Sequence, residues 1–315
     1  MVTVNQIQAG QTFEGYCLIK SAIEGKTTKG DPFLTLILSD KTGEIEGKLW
    51  SSTEEHKRSF IAGKIVKVKG DVTSFRNQNQ IRINEIRLAK ENEVNTSNFI
   101  KTAPESKESL QVELEAFITI IQNPLLRAIT NELYESHKEQ FLTYPAAKSN
   151  HHAFSSGLAY HTVSMLRIAK SLAAQYKQLN ADLLYSGIIL HDLGKVHELE
   201  YTSTGKISYT TKGQLYGHIT IIAILIDRTV QHLIKEKNWD LTEEDELLVM
   251  KLTHITNAHH NKLEWGSPVE PKLLEAEIVH YIDMIDSRIN MITEGLEGKE
   301  EGQFHPVKPL GYFLK

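Results

Sequence analysis

The hydrophobic period of this chain switches near residue 110, and that switch divides the fold before any residue is weighed for chemistry. Upstream, "FLTLILSD" (33–40), "IEGKLW" (45–50), "IVKVKG" (65–70) and "QIRINEIRL" (80–88) alternate apolar and polar positions, as half-buried strands do. Glycine-bearing turns, "TKGDP" (28–32) and "KTGE" (41–44), separate the runs. Five or so short strands within residues 11–90 predict a small barrel or sandwich. Downstream the period is 3.6. In "HTVSMLRIAKSLAAQY" (161–176), Val163, Leu166, Ile168, Ala169, Leu172 and Tyr176 form one stripe. The stretches 109–121, 123–137, 217–237 and 275–292 read the same way. Between the two regimes, "KENEVNTSNFIKTAPESKES" (90–109) is polar and patternless, a linker. The expectation is a multidomain α and β chain: a β domain over 1–90, a linker over 91–109 and a helical domain over 110–315.

Charge is unevenly divided between these parts. The net charge of −5 over 315 residues argues against a nucleic-acid partner for the chain as a whole. Yet residues 1–90 carry 14 Lys+Arg against 10 Asp+Glu, while the remainder carries 21 against 30. A mildly basic front and an acidic back suit a polyanion-binding module joined to a cation-rich site. The one cysteine, Cys17, excludes an internal disulfide framework and is expected to pack as a small apolar residue, which fits a reducing compartment. The first residues lack a basic and apolar leader. The longest apolar run, "ITIIAILI" (219–226), is too short to span a bilayer. The expected location is the cytoplasm, with no membrane partner.

The segment "SGIILHDLGKVHELE" (186–200) poses the chemical question. An apolar run ends in His191 and Asp192, and burying such groups is costly unless something pairs with them. They either satisfy each other as a helix-end pair or hold an ion. Of the 14 histidines most lie after residue 150, among them His151, His152, His161, His191, His197, His218, His254, His259, His260 and His280. Imidazoles mixed with carboxylates suit borderline divalent metals, and the lack of further cysteines argues against a thiolate zinc site. Two such ions sharing one carboxylate activate a water and stabilise the leaving oxygen of a phosphoester. Lys195 stands where it can neutralise phosphate charge.

"HDLGK" (191–195), with His161 before it in "HHAFSSGLAYHT" and Asp283 after it in "VHYIDMIDS", resembles the HD superfamily of metal-dependent phosphohydrolases. His218 in "LYGHIT" and the pair in "NAHHN" resemble its two-metal members. "FLTLILSDKTGEIEGKLW" is similar to the strand–turn–strand core of a nucleic-acid-binding OB-fold. The order OB-fold, linker, HD domain resembles the YhaM family of bacterial 3′→5′ exoribonucleases over 11–95 and 145–290.

The resemblance implies a first metal held by His161, His191, Asp192 and Asp283. Asp192 then bridges to a second, completed by His218 and His259, with His260 as the alternative to His259. His254 is a weaker candidate, because five residues before His259 is poor helical register. Asp192 and Lys195 are the implied catalytic pair, Lys195 contacting the scissile phosphate. Asp283 and Asp286 share one helix face, so one can be a ligand and the other its support or a surface charge. His151 and His152 suit substrate-side or structural roles, and His197 and His280 neither. Mn²⁺ leads the expected metals, with Co²⁺, Fe²⁺, Ni²⁺ and Mg²⁺ as alternatives. In the front domain, Phe33, Trp50 and Phe75 are candidate stacking platforms for bases, against the plainer reading that barrel aromatics are core. Lys26, Lys29, Lys48, Arg76 and Arg82 are candidate phosphate contacts. The aromatics of "QFHPVKPLGYFLK" (303–315) suit packing on the other domain or on a second subunit.

The expected activity is a divalent-metal-dependent 3′→5′ exoribonuclease, a phosphodiester hydrolase acting on single-stranded RNA, with single-stranded DNA as a further candidate substrate, and oligomeric on family grounds. An HD-type nucleotide phosphohydrolase or cyclic-nucleotide phosphodiesterase is the first alternative. The OB-like front argues against it, and "HHNKLEWGSP" lacks the "GYP" of the cyclic-dinucleotide branch. A non-catalytic single-strand-binding factor is the second alternative, opposed by the full ligand set.

Overall fold

The structure, a computed structural model, describes residues 3–75, 78–90, 93–94, 99–148, 152–202 and 205–315. Contacts divide the chain into two compact units, Met1–Lys101 with Tyr201–Lys206, and Thr102–Glu200 with Ile207–Lys315.

The first unit is a closed five-stranded barrel. Strands β1 (Thr12–Lys26), β2 (Pro32–Asp40), β3 (Gly43–Trp50), β4 (Ile65–Phe75) and β5 (Gln78–Leu88) close in the order β1-β2-β3-β5-β4. All pairings are antiparallel except β3 with β5. The long β1 pairs with β4 through its first half and with β2 through its second, and its register shifts between Ile19 and Ser21. One strand thus serves both sides of the closure, which leaves no open edge there. The alternation seen in the sequence is the in/out alternation of the barrel: Leu34, Leu36, Leu38, Val66, Val68, Val72 and Ile81 are buried. Cys17 is fully buried in this core, as its expected packing role requires. A short helix, α1 (Glu54–Ser59), links β3 to β4.

The second unit is helical. It contains α2 (Lys107–Ile120), α3 (Pro124–Thr143), α4 (Gly157–Gln175), α5 (Ala181–His191), α6 (Lys195–Glu198), α7 (Thr211–Lys237), α8 (Glu243–Ala258) and α9 (Leu274–Leu296). Five helices begin at a polar N-cap whose side chain accepts a backbone N–H: Ser106, Asn123, Asn180, Thr210 and Thr242. On α4 the predicted stripe buries Val163, Leu166 and Ala169, half-buries Ile168 and Leu172, and ends at Tyr176, which is exposed beyond the helix terminus.

Helix α5 is the centre of this unit. Every residue from Leu183 to Val196 is buried, so the helix has no solvated face. That is why a lone apolar run, rather than a stripe, marks it in the sequence. The C-terminal stretch forms a hairpin, β6 (Phe304–Val307) with β7 (Gly311–Leu314), seated on α9 through buried Val307. It therefore packs within its own unit, and Phe304 and Tyr312 remain exposed.

Candidate metal centre

Helix α5 delivers His191 and Asp192 to the middle of the helical unit. His191 is its last residue, and Asp192 caps the C-terminus. The partial negative charge of a helix C-terminus favours a cation there. The chain then turns through Leu193 and Gly194 into α6. Gly194 is required by close approach: a Cβ at this position would stand 2.2 Å from the carbonyl oxygen of His218. The backbone carrying Asp192 and Lys195 can therefore lie directly against that carrying His218.

His218 is itself presented by a break in α7. Gly217 has φ +67°, a left-handed conformation that interrupts the helix. The interruption frees the His218 backbone N–H, which donates to Glu198 Oε1 at 3.1 Å. The imidazole Nδ1 of His218 reaches the same oxygen at 3.2 Å. Glu198 escaped the sequence reading, because α6 is a single short turn with no periodicity to place it.

Four helices and the α8 terminus converge on Asp192, which is 3 % exposed. Its Oδ2 lies 3.3 Å from His191 Nε2, 3.9 Å from His161 Nε2 and 2.6 Å from Lys195 Nζ. Its Oδ1 lies 3.5 Å from His218 Nε2 and 3.8 Å from His259 Nε2. Each carboxylate oxygen thus faces a different pair of imidazoles. Asp283 Oδ1 stands 3.4 Å from His161 Nε2, on the side of Oδ2. Ligand atoms of His161, His191 and Asp192 cluster within 4.8 Å, and those of His218, His259 and His260 do so too.

The outer nitrogens settle which way these rings point. Nδ1 of His191 meets the carbonyl oxygen of Ile188 at 2.7 Å, that of His259 meets Thr256 at 2.7 Å, and that of His260 meets Trp265 at 2.9 Å. A carbonyl can only accept, so each Nδ1 carries the proton and each Nε2 presents a lone pair inward. Nε2 of His191, His218 and His259 and Oδ1 of Asp192 are buried and make no hydrogen bond among the described residues. Lone pairs facing carboxylate oxygens at these distances are unsatisfied until a cation lies between them. Nitrogen and oxygen donors in this mixture suit a divalent ion, and the residues present fit one.

His161 is aimed from behind by Asp286, whose Oδ2 lies 2.7 Å from its Nδ1. Asp286 also accepts from His152 Nε2 at 2.7 Å and from the Ser164 hydroxyl. Asp283 therefore faces the centre and Asp286 supports it, which divides the two acids of α9. Burial pushes Asp192 up, but Lys195 and His191 outweigh it and hold the carboxyl well below the usual carboxylate range. Burial and then the hydrogen-bonded His161 act likewise on Asp283, with the same downward result. On the opposite side burial dominates: it drives His259 well below the ordinary histidine value and His260 to about 4. Both rings are neutral near pH 7, as ligation requires.

The remaining sequence candidates divide. His254 is not brought to this centre; its Nε2 accepts the backbone N–H of Lys272 at 2.8 Å. His259 and His260, posed as alternatives, stand side by side with ring centroids 4.3 Å apart, and His218 completes their group. His280 supports them through a 2.9 Å contact with the His259 carbonyl. His197 sits against His137 instead. His151 and Arg76 lie outside the described residues.

On the barrel, Trp50 and Phe75 are exposed and Phe33 is half-buried, so none is sealed in the core. Phe33 and Trp50 are cross-strand partners with centroids 5.0 Å apart, and Lys48 Nζ lies 5.2 Å over Phe33. Trp50, Phe75 and Lys48 share a cleft with Glu46, Gln78, Asn79 and Gln80, of about 580 Å³. Lys48 pairs with Glu46 at 3.3 Å, so the two charges that line the cleft among the described residues offset each other. Lys29, in the β1–β2 turn, and Arg82, on β5, are exposed and do not line it.

Two known families match the two units. An OB-fold nucleic acid binding domain matches residues 18–89, and an HD domain matches residues 158–288. A curated 3′-5′ exoribonuclease YhaM from a Geobacillus species is 45% identical over 298 residues, covering 94% of this chain and 89% of that protein. The 3′-5′ exoribonuclease YhaM of Halalkalibacterium halodurans is 45% identical over 300 residues, covering 94% and 90%. With a barrel and a His/Asp centre of the matching kinds on one chain, this protein belongs to the YhaM family of 3′-5′ exoribonucleases.

Proposed function

We propose that the chain is a divalent-metal-dependent 3′-5′ exoribonuclease that shortens single-stranded RNA to nucleoside monophosphates. The observation that carries this reading is the Asp192 carboxylate, whose two oxygens face two separate imidazole pairs beside Lys195. His161, His191 and Asp283 would hold one ion, and His218, His259 and His260 another, with Asp192 shared. Mn²⁺ heads the candidates because imidazole and carboxylate donors are mixed. The ions, when bound, supply activation of water and stabilisation of charge on the scissile phosphate.

The protein's own groups do the rest. Lys195 Nζ, now on Asp192 Oδ2, donates to a phosphate oxygen when substrate is present. Glu198 and Asp286 hold His218 and His161 in orientation. Trp50 and Phe75 bind the single strand by stacking, with Lys29 and Arg82 as outlying phosphate contacts. Residues 1–90 act as the strand-holding domain and 110–315 as the cleaving one. Polarity and RNA preference follow the names of the two relatives. Single-stranded DNA is a second substrate, because stacking does not use the 2′-hydroxyl. A cytoplasmic location fits the single buried cysteine. Self-association completes the reading, and sedimentation velocity of the purified chain checks it.

The decisive experiment follows 5′-labelled single-stranded RNA with Mn²⁺ or with EDTA, for the wild type and Asp192→Asn. The expected result is a ladder shortening from the 3′ end, abolished by EDTA and reduced more than about a hundredfold by the substitution, beyond the loss typical of supporting residues. RNA that is bound but stays intact with every metal overturns the reading.

A further inference from the structure

The cavity beside the metal centre, about 400 Å³, has two unlike walls. One is the centre itself. The other is apolar: Trp265, Met284, Met291 and Pro309. A nucleotide has the same polarity, a charged phosphate at one end and a flat, weakly polar base at the other, and the volume is in the range of small-molecule sites. We propose, resting on the phosphodiesterase reading above, that this apolar wall seats the terminal nucleobase and that the Trp265 indole is its stacking platform.

Trp265 is built for this. It closes a single 3₁₀ turn, Leu263–Trp265, which ends at Gly266 in the left-handed region, φ +99°. It is 48 % exposed, although a tryptophan gains much by burial. Its carbonyl accepts from His260 Nδ1 at 2.9 Å, and its ring stacks on His280 at 6.0 Å and 26°. His280 in turn holds the carbonyl of His259. The platform is thus tied to both histidines of one ligand group, so a base stacked there places its own phosphate at a set distance from the centre.

The ammonium of Lys262 lies 5.0 Å over the same indole and is itself exposed. An exposed cation–π contact is weaker than the stacking of a base on an aromatic ring. The base therefore displaces the ammonium rather than the reverse. Stacking is sequence-tolerant because every base has a π-face, and among the described residues Ser287 is the one hydroxyl beside that apolar wall. The pocket accepts every base, as stepwise degradation of mixed sequence demands.

Two measurements on the Mn²⁺-loaded protein test the pocket. Calorimetry compares adenosine 5′-monophosphate with ribose 5-phosphate for the wild type, Trp265→Ala and Trp265→Phe. The wild type is expected to prefer the nucleotide by about five- to a hundredfold, Trp265→Phe to keep most of that preference, and Trp265→Ala to fall to about twofold. Cleavage of RNAs ending in adenosine or in an abasic ribose should show the same pattern in kcat/KM. Equal affinity of the wild type for both compounds, or an undiminished preference in Trp265→Ala, overturns the proposal. The binding arm needs no turnover. Base preference in a protein that leaves RNA intact therefore sinks only the nuclease reading, and cleavage indifferent to the terminal base sinks only the pocket.

Discussion

At the residue scale, the centre is decided by what stands behind each imidazole. A histidine ligates only when its far nitrogen is occupied, and here the occupants are carbonyls for His191, His259 and His260 and acids for His161 and His218. Glu198→Gln and Asp286→Asn are each expected to weaken Mn²⁺ binding about 10–100-fold, measured by calorimetry on folded protein. Wild-type affinity in both would mean that neither carboxylate acts as an orienting partner. Cys17 offers a test free of the metal centre. Burial, aided by the Asp40 charge, pushes its thiol up from 9.0 to about 12. The native thiol stays protonated while the unfolded one ionises, so below pH 9 the group leaves stability unchanged. Between pH 9 and 12 it subtracts roughly 1 kcal/mol per pH unit. Urea titrations of the wild type and Cys17→Ala should diverge across that window, the wild type falling more steeply. Parallel pH profiles would refute the linkage.

At the scale of elements, two glycines bring separate segments to one point. Gly194→Ala sets a Cβ against the His218 carbonyl, a clash that must separate α6 from the start of the second half of α7. The expected outcome is loss of Mn²⁺ binding with a lowered melting temperature. A variant that melts and binds like the wild type would show that the two backbones have slack. On the barrel, Trp50→Ala with Phe75→Ala should reduce affinity for single-stranded RNA by ~1–3 kcal/mol per stacked base, read by fluorescence anisotropy, while Mn²⁺ affinity is unchanged. The strands around these aromatics were legible because a barrel with one core face imposes a period of two. The α4 stripe was legible for the same kind of reason. Helix α5 was not, since a helix buried on all sides has no period to display. Helix α8, opening on Glu243, Glu244, Asp245 and Glu246, has a partly exposed surface and few buried positions, and it too lay outside the periodic stretches.

At the scale of the molecule, the two units hold separate cores, and the candidate metal ligands all belong to the second. Divalent metal should therefore stabilise the helical unit alone. Mn²⁺ at a hundredfold over its Kd adds about 2.7 kcal/mol. Scanning calorimetry should show the helical transition rising with Mn²⁺ in the wild type and not in Asp192→Asn, and an unmoved wild-type transition would contradict ligand binding to the folded state. Among the described residues no helix is long and apolar enough to cross a membrane. The chain's periodicities determined by themselves that a β unit precedes a helical one, and the residues of "HDLGK" with its distant histidines determined the chemistry, because burial and metal ligation both select residue types. Tertiary structure alone decided that His259 and His260 stand together, that Asp283 faces the centre while buried Asp286 stands behind His161, and that Glu198 meets His218 and Trp265 lines the adjoining cavity. Those are matters of direction and distance between segments far apart in the chain, and residue spacing along a strand or helix carries no information about them.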